Sequence, residues 1–160
     1  MQAVNQRRWD GIPNLRATKR LGCEYIDANA ARLWELTREW QHDAARSAGS
    51  AFMEWLKVPG LGLVKAGFAV QLTIGEVGCL DTHNIQRLGL RKADMQVNKA
   101  KLANLATRAS RYMVECKRQG GAEKLWDSWC CYVAKGQPKQ WANAQAVSEW
   151  HWRVLDQQPF

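Results

Sequence analysis

The sequence has no apolar run long enough to span a bilayer, and its basic N-terminus lacks the apolar stretch of a secretion signal. No membrane partner is expected, and the chain reads as cytoplasmic. No stretch alternates apolar and polar residues as a strand does, and neither an internal repeat nor a low-complexity tract appears. Cysteine is sparse and unordered. Cys23, Cys79, Cys116, Cys130 and Cys131 make an odd set with one adjacent pair, which argues against a disulfide framework and for structural thiols in a reducing compartment. Acidic residues are in deficit too, with 15 Asp and Glu against 23 Lys and Arg, a net charge of +8. That balance favours a polyanionic partner, although solubility alone would also account for it.

What is present suits one helical domain. The 160 residues are enough for a single core and too few for two. Residues 1–22 carry Arg7, Arg8, Arg16, Lys19 and Arg20 around Trp9. They read as a basic arm able to lie along phosphates, or as a surface segment held by Trp9 and Leu15. Residues 23–160 read as one all-α domain, a compact bundle of about six or seven helices. Residues 24–46 have amphipathic spacing, with Tyr25, Ile26, Ala30, Leu33, Trp34 and Trp40 expected inside, and residues 47–50 are expected to break it. A long helix is expected over 93–118, with Ala106, Met113 and Val114 among its inner positions and basic residues outside. Two further helices are expected, over 122–135 with Leu125, Trp126 and Trp129 buried, and over 141–155. Most of the nine Trp residues should fill the core, and one or two are available to stack on an extruded base.

The stretch around which the chain is organised is residues 51–74. Pro59 stops the preceding helix by removing a donor and pushing Val58 out of the α region. Gly60 and Gly62 flank Leu61 in a tight turn, and residues 63–74 read as a second helix whose exposed amides suit phosphate. An ordinary turn between packed helices gives the same pattern. A short loop then leads to Asp81-Thr82-His83-Asn84 within residues 79–90, with Asp81 where a helix would start and residues 82–88 as a short helix closed by Gly89.

Pro-Gly-Leu-Gly, a helix of about three turns, a short loop and then Asp-Thr-His resembles the helix–hairpin–helix DNA glycosylase superfamily. That resemblance implies that Pro59, Gly60, Leu61 and Gly62 hold a strand of double-stranded DNA while Asp81 faces an everted nucleotide. Bifunctional members place a nucleophilic lysine after the second hairpin glycine with one residue between them. Here Leu63 and Val64 both precede Lys65, and one added residue turns a side chain about 100° around the helix. Lys65 is thus a catalytic candidate alongside Asp81 and His83, but its alternative is phosphate contact. Asn84 and Arg87 are candidate substrate-binding residues, Asn84 standing where relatives pack an apolar side chain. The iron–sulfur cysteines of many relatives are missing, so no cofactor and no protein metal site are expected; whether a monovalent cation sits at the hairpin carbonyls stays open.

Short length, the displaced lysine and the retained Asp81 are similar to a viral branch, the amino acid:DNA transferases of thymine hypermodification. This implies transfer of a free amino acid, such as glycine or serine, onto 5-phosphomethyluracil in viral DNA, a step that protects the DNA against host restriction. A monofunctional base-excision glycosylase and a non-catalytic DNA-binding module are the alternatives.

Overall fold

A computed structural model describes residues 15–97 and 104–135. Among them are seven α-helices, one 3₁₀ turn and no strand: α1 Ala17–Ala28, α2 Ala30–His42, α3 Ala44–Lys57, α4 Leu63–Ile74, α5 Thr82–Arg87, α6 Leu105–Arg118 and α7 Gly121–Lys135, with the 3₁₀ turn Lys92–Met95 between α5 and α6. The fold is the expected all-α bundle. Residues expected to form the last helix (141–155), and Trp9 of the basic arm, lie outside the described residues.

The centre is the pair α3 and α4, which pack on each other most extensively. In α3, Ala48, Ala51, Phe52 and Leu56 recur at helical spacing and are buried, and Leu63, Ala66 and Val70 do the same on α4. α2 packs on both helices from one side and α6 from the other, while α7 packs on α5 and α6. Leu105, Ala109, Tyr112 and Cys116 supply the buried face of α6. A buried carboxylate ties α2 to α3: Glu54 pairs with Arg32 at 3.0 Å and with Lys57 on its own helix. Two opposite partners satisfy the charge that burial would otherwise penalise.

Several expected boundaries are displaced. No break occurs at 47–50, because the apolar face of α3 runs through Gly49 and outweighs the roughly 1 kcal/mol that a helical glycine costs. The chain breaks instead at Asn29, whose Nδ2 donates to the Tyr25 carbonyl at 2.7 Å. It breaks again at Asp43, whose carboxylate accepts the Arg46 N–H and starts α3. The break at Asn29 splits the stripe read over 24–46. Leu33 and Trp40 then face inward while Trp34, about 100° from Leu33, is 67% exposed and Ile26 is exposed as well. The long helix over 93–118 is also corrected. Residues 92–95 form a 3₁₀ turn followed by extended backbone, held to α6 by Arg108, which donates to the carbonyls of Ala93 and Gln96. On α6, Ala106 and Val114 point to solvent. The α1 helix begins inside the stretch read as a basic arm, and its Gly22 is buried.

One buried residue joins the halves of the molecule. The Tyr112 hydroxyl accepts the Leu80 N–H at 3.0 Å and donates to the Gly78 carbonyl at 3.1 Å, while its ring stacks on Phe52 at 5.4 Å. The loop between α4 and α5 is thereby stitched to α6. Tyr112→Phe keeps the ring and orphans the Leu80 amide. A cost of about 1–3 kcal/mol is expected, lowering Tm by several degrees in a thermal melt; an unchanged Tm contradicts the stitch.

Candidate functional site

The α3–α4 turn has one covered side and one open side. α3 ends at Lys57 with Val58 in extended geometry, as a following proline demands. Leu61 N–H then donates to the Val58 carbonyl at 3.2 Å and closes the turn. α1 lies against the turn: a Cβ on Gly22 would meet the Pro59 carbonyl oxygen at 2.6 Å, and one on Gly60 would meet that of Thr18 at 3.2 Å. On the other side nothing lies within 4 Å of the position a Gly62 Cβ would take. Gly62 caps α4 without any side-chain hydrogen bond to the first-turn amides. Those amides carry the positive end of a three-turn helix. Lys65 is exposed, and its ammonium reaches back to the Gly60 carbonyl at 3.5 Å.

α4 ends at Gly75 and the chain enters a tightly confined loop. A Cβ on Gly67 of α4 would sit 2.5 Å from the Gly78 carbonyl oxygen and 2.8 Å from the Tyr112 ring, so only glycine lets the loop cross the helix here. Gly78 in turn adopts φ 113° and has no room for a Cβ against Leu125 of α7. Val77 has φ 69°, which costs a β-branched residue on the order of 1–3 kcal/mol. The loop holds this conformation because Tyr112, Gly67 and Leu125 confine it from three helices.

Asp81 emerges from that loop as the N-cap of α5. Its Oδ1 accepts the Asn84 N–H at 2.8 Å, which is the ordinary capping geometry. Among the described residues no hydrogen bond to its second oxygen occurs. Asn84 is buried and its amide is largely committed: Nδ2 donates to the carbonyls of Cys79 and Leu125, and Oδ1 accepts from Arg87 at 3.3 Å. Asn84 thus fastens α5 to α7. Arg87 is exposed and touches the site through Asn84, while His83 is half-buried one position earlier.

Asp81 and Asn84 line a pocket of about 150 Å³ together with Phe68 and Gln71 of α4, Cys79 of the loop, and Leu125, Trp126 and Trp129 of α7. The walls are aromatic. Phe68 stacks on Trp126 with centroids 6.0 Å apart, and Trp126 meets Trp129 at 5.4 Å. Trp129, expected in the core, is 39% exposed. A cavity of about 150 Å³ with apolar walls holds one six-membered aromatic ring.

Of the residues singled out from sequence, Asp81 and Asn84 meet in this pocket. Lys65 stays at the turn, and Pro59, Gly60, Leu61 and Gly62 stand at the far end of α4. Sequence reasoning did not single out Phe68, Gln71 or Tyr112. The pairs Phe68 with Gln71 and Trp126 with Trp129 both have helical i, i+3 spacing, a signal for a shared face but not for what that face meets. No group of metal-ligating residues occurs among the described residues, and no described helix is long and apolar enough to cross a membrane.

Electrostatics leave the pocket without a thiolate. Burial, reinforced by the neighbouring Asp81 charge, pushes the Cys79 thiol up to about 12. Burial likewise pushes Cys116 up to about 12 and raises the Tyr112 phenol. Against protein-family models, curated proteins and solved structures alike, the chain finds no match.

The raised values have a consequence for stability. Each of the three groups keeps its proton longer in the folded state than in the unfolded one, so its contribution is complete below the unfolded pKa and is lost as pH climbs towards the folded one. The unfolding free energy from urea titrations under reducing conditions, and with it the midpoint, should fall between about pH 9 and pH 12, the free energy by at most about 1.4 kcal/mol per pH unit for each group. A midpoint that stays level between neutral and strongly alkaline pH contradicts the burial of these groups.

Proposed function

We propose that the chain is a DNA-base-modifying enzyme that takes an everted pyrimidine against the aromatic wall of Phe68, Trp126 and Trp129 and transfers a free amino acid onto it beside Asp81. The observation that carries this reading is the pairing of a one-ring aromatic pocket with a carboxylate whose cap geometry aims it. An enzyme that reacts at a base must first unstack it, and aromatic walls replace the stacking that is lost. The open Gly62 side of the turn supplies amides for a backbone phosphate. α4 links the two, with about 8 Å of axial rise from Leu63 to Phe68, within the reach of a nucleotide.

The reaction follows from what the chain holds back. The pocket thiol is protonated, and the Lys65 amine faces the turn and not the cavity. With neither offered as nucleophile, the attacking atom comes from a second substrate. On 5-phosphomethyluracil, that atom is the nitrogen of a free amino acid such as glycine or serine. Asp81 takes a proton from the ammonium, the freed lone pair attacks the exocyclic carbon, and a C–N bond forms as the C–O bond breaks. Phosphate leaves with the bonding electrons and carries off the proton from Asp81. Arg87, tethered to Asn84 at the pocket wall, is placed to meet phosphate or the amino acid carboxylate. Water at the same position would make the enzyme a monofunctional glycosylase, with Asp81 beside an oxocarbenium-like sugar, and the missing pocket lysine favours that version over a lyase. A viral source and a role in evading restriction belong to the transferase version.

The test is to incubate the protein with duplex DNA containing 5-phosphomethyluracil and a mixture of amino acids, digest to nucleosides and weigh them. An amino-acyl adduct is expected. Free base or abasic sites point to the glycosylase, and unchanged nucleosides with retained DNA binding point to a binding module. Asp81→Asn keeps a good N-cap, so it should fold within a few tenths of a kcal/mol of the parent and lose turnover. Full turnover in this variant removes Asp81 from the chemistry.

A further inference from the structure

Gln71, one of the residues lining the pocket, carries a polar atom that the fold leaves unsatisfied. Gln71 projects from α4 and its Nε2 donates to the Ala122 carbonyl of α7 at 2.7 Å. That bond fixes which way the amide faces, since only the NH₂ end can approach a carbonyl. Its Oε1 is consequently committed to the other side, where it is buried and has no hydrogen-bond partner. A buried acceptor without a donor is uncommon in folded proteins and asks for one from outside. Gln71 also lines the cavity, one helical turn beyond Phe68 and across from Trp126.

We infer that Gln71 is a specificity residue that reads the imide edge of the everted base, Oε1 accepting the pyrimidine N3–H. This rests on the proposal above that the pocket receives a base, and it names the class: a uracil-type ring and not cytosine, whose N3 is itself an acceptor. The second amide hydrogen, not spent on Ala122, is available to O2 or O4 of the same edge. The cavity volume of about 150 Å³ suits a single ring better than a purine. Holding N3 at Gln71 also leaves the C5–C6 edge on the opposite side of the ring, free for substitution at the C5 group. A hydrogen-bonding site of this kind discriminates more sharply than an apolar one, because the wrong ligand leaves the buried acceptor unpaired.

The test uses the full chain and duplexes that differ at one position opposite an abasic site, holding thymine, N3-methylthymine or cytosine. Binding is read by competition anisotropy at salt high enough to suppress phosphate-only association. The parent should prefer thymine over both others by roughly tenfold or more. In Gln71→Met, which keeps length and removes the acceptor, the ratio should fall to about one while circular dichroism reports the fold. If that variant does not fold, the parent's ratio alone decides. Equal binding of thymine and N3-methylthymine by the parent overturns the inference, as does a Gln71→Met ratio equal to the parent's. Discrimination without amino acid transfer sustains Gln71 as reader and removes the transferase, whereas transfer without discrimination removes Gln71 and leaves the transferase.

Discussion

A single buried hydroxyl ties down the loop from which the Asp81 pocket is built. Tyr112 holds both ends of the Gly78–Leu80 segment in its strained path between α4, α6 and α7, with Asn84 and Cys116 adding bonds to the Cys79 and Gly78 carbonyls. Gly67 and Gly78 supply the space for it and Leu125 closes the third side. Without the stitch, Val77 would relax from its positive φ and Asp81 would no longer be delivered to the pocket at the start of α5. The backbone strain is thus maintained by packing against three helices, a cost that isolated surface loops do not carry.

From that constraint the character of the pocket follows. Burial keeps Cys79 protonated, and the turn keeps Lys65 occupied at the Gly60 carbonyl. What remains is a cavity with aromatic walls, a fixed carboxylate and one unsatisfied amide oxygen. On the proposed reading, such a set would bind a flat ring and manage a proton, and it would leave the nucleophile to a second substrate. Positive charge, a turn with open amides and a one-ring cavity each have ordinary explanations alone. Their alignment along α4 is what a strand with one base turned out of the stack would require.

Much of this frame was legible in the residues. Pro59 and the glycines around Leu61 located the turn, the bounds of α4 agreed with the expected 63–74, and Asp81 appeared as an N-cap with Gly89 past the end of α5. Local rules suffice there, because helix stops and caps are decided by a few adjacent residues. The losses were non-local. Trp34 shares a stripe with Leu33 only if the helix stays straight, and the Asn29 side chain ends that continuity. The importance of Tyr112 lies in bonds to residues more than thirty positions away, and that of Gln71 in a carbonyl on α7. Trp129 has the spacing of a core residue, yet it lines the cavity and is partly exposed.

The central claim is that a base lies against the α7 tryptophans next to Asp81. It is tested most directly by photocrosslinking, with 5-iodouracil at an unpaired position of a DNA duplex, irradiation of the complex and mapping of the attached peptide by mass spectrometry. The account predicts attachment at Phe68, Trp126 or Trp129, competed away by unlabelled DNA carrying thymine at that position. Crosslinks confined to residues outside the pocket, with these three aromatics unmodified, would contradict it.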